Sequence, residues 1–252
     1  MTEHKNISQE FNQNQQKGTL RAYCFFDAEN VFYALRKILK ARHTVYSPNL
    51  LSETIIEIIQ NNPDQLRLPV DRNLFKHNNI KIERIFYYRG EPNKEYEPEK
   101  YSNLQKIIRA MKVHDKNNIL TIKTLPFAYL HDVNENDKVN ILHAREKGID
   151  ITIALDIYKY ASEKQYDIAL VFSQDQDLGA VLPYIRDVEQ NQNKRIPIFS
   201  VFPRSEDNAN MIPLGIRKTN HIGYSYKDYF KATIYAEGLE PTKKTLSPCP
   251  KN

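Results

Sequence analysis

The stretch LVFSQDQDLGAV, residues 170–181, places polar side chains directly after an apolar run. That run, Ile168–Phe172, has the length of a strand and contains β-branched residues. Ser173, Asp175 and Asp177 come next, and a helical pattern then covers residues 178–188. In open parallel sheets, binding sites lie beyond the carboxyl ends of the strands. The stretch therefore predicts a buried strand, a polar site and a helix in succession.

The same alternation of strands and helices recurs along the chain. Apolar or alternating segments predict further strands at residues 22–26, 80–88, 119–125 and 196–202. Helical periodicity predicts helices at 31–39, 50–59, 98–113, 138–147 and 150–161, with Gly148 ending one helix and Asp150 capping the next. Short apolar strands that alternate with helices are typical of a mainly parallel sheet covered on both faces. The sequence therefore predicts an α/β fold.

The composition is that of an ordinary globular protein. Of the 252 residues, 40% are hydrophobic and 27% are charged, which argues against disorder throughout the chain. The two cysteines, Cys24 and Cys249, are too few for a disulfide framework or a four-cysteine zinc site. No apolar run approaches the roughly 20 residues that span a bilayer, and the polar N-terminus lacks a signal-peptide core. We therefore expect a cytoplasmic protein with no membrane partner.

The two ends of the chain differ in composition from the rest. Residues 1–18 are rich in Asn, Gln and Lys and lack periodic apolar positions, which predicts a disordered tail. Residues 237–252 are rich in Pro and Lys and predict a flexible C-terminal tail. Residues 19–236 contain no linker or repeat, so we expect them to form one domain. The net charge of +5 is compatible with a polyanionic partner but does not require one.

A second acid occupies the same kind of position as the acids of the opening stretch. Asp27 follows the predicted strand 22–26, as Asp175 and Asp177 follow Ile168–Phe172. If the two strands are neighbours, Asp27 and Asp175 lie roughly 5–10 Å apart. Carboxylates that close repel each other unless a cation or a proton lies between them. Oxygen ligands without histidine or cysteine favour Mg²⁺ or Mn²⁺, although each acid alone could equally be a helix N-cap.

Three segments, in this order, resemble the motifs of NYN domains, which belong to the PIN-like ribonuclease superfamily. They are FFDAENVFYALR at residues 25–36, EKGIDITIALD at 146–156 and YDIALVFSQDQDLGAVL at 166–182. The residues that match are Asp27, Asn30, Lys147, Gly148, Ile149, Asp150, Tyr166, Asp167, Ser173, Asp175 and Asp177. Gln174 stands where the family usually has Gly, and Leu178 where it has Phe, but no carboxylate is lost. The chain is longer near residues 46–133 than a minimal NYN domain requires, which predicts an inserted region there.

The resemblance implies a Rossmann-like PIN fold and metal-dependent hydrolysis of phosphodiester bonds, most often in RNA. The catalytic residues would be Asp27, Asn30, Asp150, Asp175 and Asp177, with Mg²⁺ or Mn²⁺ held by Asp27, Asp175 and either Asp150 or Asp156. Asn30 would orient Asp27 or contact a phosphate, and the Ser173 hydroxyl would bond to a carboxylate. Asp177 would bind the metal through water or cap a helix.

Asp150 and Asp156 are alternative metal ligands. In one continuous helix, six residues turn the chain by about 600°, so the two side chains point about 120° apart. Both are therefore not expected to reach the same ion. The family motif favours Asp150, which leaves Asp156 as an outer residue.

Arg89 follows a predicted strand, as the acids do, and we expect it to contact phosphate of the RNA substrate. A non-catalytic NYN-like RNA-binding or adaptor protein is the main alternative to a ribonuclease. A haloacid-dehalogenase type of phosphotransfer enzyme is disfavoured because its Asp-x-Asp motif is replaced by Asp27, Ala28 and Glu29. The oligomeric state stays open, and a homo-oligomer is one alternative.

Overall fold

The strand Gly18–Asp27 (β1) lies near the centre of a six-stranded parallel sheet. The computed structural model describes residues 18–41, 45–63, 69–133, 139–205, 215–234 and 236. The other strands of the sheet are Asn78–Glu91 (β2), Leu120–Pro126 (β3), Ile168–Phe172 (β6), Ile198–Pro203 (β7) and Asn220–Tyr224 (β8), in the order β3-β2-β1-β6-β7-β8. Ala128–Val133 (β4) and Val139–Arg145 (β5) form a separate antiparallel pair.

Helices cover both faces of this sheet. They are Ala28–Ile38 (α1), Pro48–Asn61 (α2), Pro69–His77 (α3), Pro98–Val113 (α4), Ile149–Ser162 (α5), Leu182–Gln192 (α6) and Tyr226–Lys231 (α7). Side chains of β1 alternate between the faces: Cys24 and Phe26 pack with α1 and α2, whereas Tyr23 and Phe25 pack with α5 and α6. The predicted α/β fold with helices on both faces is therefore confirmed.

The strand order reverses direction between β1 and β6. From β1 the chain adds β2 and then β3 on one side, and it later returns to add β6, β7 and β8 on the other side. Strands that diverge in this way leave a crevice at their carboxyl ends, where ligands bind in open α/β sheets. Strands β1 and β6 are neighbours, since Ala22 to Phe26 pair with Ile168 to Phe172. They are the two strands that the sequence predicts to be followed by acids.

The segment 138–147, predicted to be a helix, is instead strand β5. Its apolar residues Val139, Ile141 and Leu142 fit a helical or a strand period, and pairing with β4 decides the outcome. Asp150 is not the N-cap of the following helix, because Gly148 holds that position with a positive φ of 83°. Asp150 lies in the first turn of α5 instead.

Other predictions fall partly or wholly outside the described residues. Both predicted tails, 1–18 and 237–252, lie outside the described residues, except for Gly18, which begins β1. The stretch 46–133 supplies β2 and β3 of the sheet, so the inserted region expected there stays a prediction for the rest of that stretch. No helix among the described residues is long and apolar enough to span a membrane.

Asp167, the residue before β6, connects that strand to β1. Its carboxylate accepts hydrogen bonds from the backbone N–H of Arg21 at 2.7 Å and from Nε of Arg21 at 3.1 Å. It also forms an ion pair with Lys194, which follows α6. Burial alone would raise the pKa of Asp167, but these partners lower it to about 2.

Asp167→Asn should destabilise the protein at neutral pH and have little effect near pH 2. Because the folded-state pKa lies below the ordinary value of 3.8, the carboxylate contributes fully above about pH 4. That contribution is lost as the pH falls from about 4 to about 2. We expect a loss of about 1–3 kcal/mol at pH 7, measured by urea unfolding across this range. Asp187→Asn, at an exposed position of α6, is the control. A penalty independent of pH would contradict the ion pairing.

Candidate active site

Asp27 ends β1 and begins α1, and its carboxylate is almost fully buried, with 4% of the residue exposed. Oδ1 accepts a hydrogen bond from the backbone N–H of Asn30 at 3.1 Å, so Asp27 is the N-cap of α1. Oδ2 accepts from the hydroxyl of Ser173 at 3.0 Å. Because Ser173 directly follows β6, this bond joins the ends of the two neighbouring strands.

The loop after β6 is held by side chains of the same group. The Ser173 hydroxyl accepts from the backbone N–H of Asp175 at 3.1 Å, and Oδ1 of Asp175 accepts from that of Asp177 at 2.9 Å. Oδ1 of Asn30 accepts from the backbone N–H of Gln174 at 3.0 Å. Asn30 therefore connects α1 to this loop.

Four carboxylates act on one another at this edge. The pKa of Asp27 is raised to about 6, first by burial and then by the charges of Asp150 and Asp175. The pKa of Asp150 is also raised, by partial burial and by Asp175 and Asp177. The structure thus brings together six of the predicted site residues, namely Asp27, Asn30, Asp150, Ser173, Asp175 and Asp177.

Asp156 lies apart from this group. Its Oδ2 accepts hydrogen bonds from the Tyr88 hydroxyl at 2.6 Å and from Nζ of Lys123 at 2.5 Å. The Lys123 ammonium lies 5.0 Å from the centre of the Phe86 ring, so this cation is held by a carboxylate and by aromatic rings. The structure therefore disfavours Asp156 as a metal ligand, since a resident cation already neutralises it.

Arg89 belongs to β2, two residues before that strand ends, and is half-buried. Burial acts to lower the pKa of Arg89, but Tyr87 and the carboxylates of Glu29 and Glu146 raise it. Its charge is thus partly balanced by two acids, and its contact with phosphate stays a prediction.

Glu29 and Glu146 are acids of this edge that the sequence did not single out. Oε1 of Glu146 accepts from the backbone N–H of Gly90 at 2.5 Å. Its pKa is raised to about 7 by burial and by Glu29 and Asp27, against the lowering effects of the Gly90 bond and Arg89. Glu146 opens the second family motif, but the helix predicted over it hid its position one residue after a strand. Glu29 likewise lies close to the end of a strand, two residues after Asp27.

The acids suit a hydrated divalent ion. No group of three histidine, cysteine or acidic residues within the described ranges is placed to hold a metal ion directly. Mg²⁺ usually keeps several waters and binds through one or two carboxylates, so three direct ligands are not required. The carboxylates that raise the pKa of Asp27 leave an excess of negative charge, which a cation would relieve.

With EDTA present, Asp27→Asn should leave the free energy of unfolding at pH 7 unchanged or raise it by up to about 3 kcal/mol. The folded-state pKa of about 6 lies above the ordinary 3.8, so the wild type loses stability as the pH rises through this interval. Asn still caps α1, so the advantage of the variant should grow from pH 4 to pH 7 in thermal melts. A variant less stable than the wild type at pH 7 would contradict this electrostatic cost.

The comparison with protein families agrees with the motifs. The NYN domain model matches residues 21–212. No curated protein matches the chain. Among solved structures, the chain is similar to a protein of unknown function from Vibrio parahaemolyticus, with a TM-score of 0.43 and 13% identity over 86% of this chain and 98% of that one. Because the family model covers more than half of the sequence, the chain belongs to the NYN domain family, a PIN-like nuclease family.

Proposed function

We propose that the protein is a metal-dependent ribonuclease that hydrolyses phosphodiester bonds of RNA at the carboxyl edge between β1 and β6. The observation that supports this most is the state of Asp27, which is buried, bonded to neutral donors and surrounded by other carboxylates. Such a group lowers the stability of the fold, and carboxylates with perturbed pKa values are concentrated at functional sites. Membership of a PIN-like nuclease family supports the same chemistry.

Asp27 and Asp175 would hold Mg²⁺ or Mn²⁺, with Asp150 as a further ligand or a partner through water. When bound, such an ion lowers the pKa of a water molecule for attack on phosphorus and stabilises the leaving oxygen. Asp177 is exposed at the start of the loop's 3-10 turn, where it adds negative charge near Asp150.

The remaining residues would keep the carboxylates in place. Ser173 fixes one oxygen of Asp27 and the backbone of Asp175, so both acids keep one relative position. Asn30 uses its oxygen to hold Gln174, which leaves its NH₂ group suited to donate to a phosphate oxygen. The N-termini of α1 and α5 both lie at this edge, and their dipoles favour anions there.

A non-catalytic RNA-binding or adaptor protein is the competing function. It would retain affinity for RNA but show no cleavage with any divalent metal. The assay that separates the two functions uses labelled single-stranded RNA, duplex RNA and DNA, each with Mg²⁺, Mn²⁺ or EDTA.

Asp27→Asn and Asp175→Asn should each lower RNA cleavage by about 100-fold or more, because loss of a metal-binding carboxylate removes several kcal/mol of transition-state stabilisation. Asp156→Asn is the matched control. It should lower stability by about 1 kcal/mol through its weaker bond to Lys123 and keep cleavage within tenfold of the wild type. The two kinds of variant thus change stability and activity in opposite ways.

Mn²⁺ should raise the melting temperature of the wild type by binding only the folded state. It should not do so for the Asp27→Asn/Asp175→Asn double variant. Cleavage of RNA by that double variant with metal present would place the active site elsewhere.

A further inference from the structure

Gln176 lies between two acids of the loop after β6 and connects this loop to a distant turn. Its amide Nε2 donates hydrogen bonds to the carbonyl oxygens of Gly215 at 3.0 Å and Gln174 at 3.1 Å. Its Oε1 accepts from the backbone N–H of Arg217 at 3.2 Å. One side chain therefore ties residues 215–217 to the loop that carries Asp175.

Ser200 makes a second connection from the interior. This residue of β7 is fully buried, and its hydroxyl donates to the carbonyl oxygen of Ser173 at 2.8 Å. The same hydroxyl accepts from the backbone N–H of Ile216 at 3.1 Å, and Ile216 is itself buried. The turn is thus attached both to the first residue after β6 and to Gln176.

The backbone of the turn is closely packed at Gly215. A Cβ atom at Gly215 would lie 2.8–2.9 Å from Phe202, His221 and Ser200, so no side chain fits there. Lys218 has a φ of 64°, a left-handed conformation that costs free energy for a residue other than glycine. The three residues before Lys218 are held in place by the hydrogen bonds of Gln176 and Ser200.

This turn carries two consecutive exposed cations, Arg217 and Lys218. It lies on the β7 side of the acids, whereas Arg89 on the β2 side lies within the electrostatic influence of Glu29 and Glu146. A polyanion that approaches an acidic edge needs cationic contacts beside it, because carboxylates repel phosphates. The turn also lies beyond residues 21–212, so membership of the family does not account for it.

We infer that residues 215–219 (GIRKT) are a phosphate-contacting element that receives the RNA backbone beside the acids, and that Gln176 is its positioning residue. The inference rests on the proposed function and specifies the path that the RNA strand takes across the site. The RNA strand leaves the acids across the loop of Gln176 toward β7, and Arg217 and Lys218 each contact a backbone phosphate.

The test measures binding of a short labelled single-stranded RNA by fluorescence anisotropy, in EDTA and over a range of salt concentrations. The main variant is Arg217→Gln/Lys218→Asn, because asparagine tolerates the positive φ at residue 218. A single-strand contact changes the log–log salt slope by about 0.7, which is roughly fivefold in affinity at 0.1 M salt relative to 1 M. Loss of two contacts should flatten the slope by about 1.4 and weaken binding roughly 25-fold at 0.1 M.

Lys112→Gln/Lys116→Asn is the matched control. It removes two exposed cations, one in the last turn of α4 and one between α4 and β3, at the opposite edge of the sheet, and should change affinity by less than about twofold. Gln176→Ala alters no charge, yet it should flatten the slope by about one contact because the turn loses its attachment. A merely structural glutamine would change the melting temperature and leave the slope intact.

Several outcomes would overturn the inference, and they differ from a failure of the proposed function. If the Arg217/Lys218 variant matches the control while the wild type cleaves RNA, the strand takes another path and the ribonuclease stands. If the wild type binds RNA through this turn but never cleaves it with metal, hydrolysis fails and the inference stands. A wild type with no affinity for single-stranded RNA at any salt concentration overturns both.

Discussion

The hydrogen bond from Ser173 to Asp27 is the interaction on which the site depends. It joins the ends of β1 and β6, the two strands between which the sheet order reverses. Ser173 also accepts from the backbone of Asp175, and its carbonyl oxygen accepts from Ser200. A single small side chain thus sets the positions of the acid that ends β1 and of an acid in the loop after β6, and Ser173 can do so because it is itself buried.

Asp27 and Asp167, which are buried, and Asp156, which is half-buried, differ in the charge of their partners. Asp167 has Arg21 and Lys194, and Asp156 has Lys123, so these two carboxylates are neutralised. Among the residues that the structure describes, Asp27 accepts hydrogen bonds only from neutral donors, and the charges that act on it most are those of other acids. The first arrangement strengthens the fold, whereas the second weakens it, and the proposed cation would relieve that cost. This difference in partners, more than burial, separates structural carboxylates from candidate catalytic ones.

The sequence was sufficient to predict five of the six strands of the sheet, all except β8, and the acids at the ends of its two central strands. Both follow from local patterns, because an apolar run followed by an acid specifies the strand, its end and the edge of the sheet. The β4–β5 pair could not be predicted, because residues 138–147 fit two periods and the choice depends on pairing. Contacts such as those of Gln176 with residues 215–217 join positions far apart in the chain, and no local pattern indicates them. The 120° separation of Asp150 and Asp156 did follow from helix geometry, and the two lie in different surroundings.

Two glycines, Gly90 and Gly148, allow Glu146 and its neighbours to take their places at the site. A Cβ atom at Gly90 would lie 2.2 Å from the Phe127 ring and 2.5 Å from Cγ of Glu146, so only glycine lets this carboxylate reach the backbone of β2. At Gly148 there is space for a Cβ, whose nearest neighbour would be Leu125 at 3.8 Å, but the φ of 83° disfavours any other residue. One glycine therefore provides room and the other provides a backbone turn. With both glycines in place, the chain passes from β5 to α5 in such a way that Glu146 and Asp150 reach the edge where Asp27 lies.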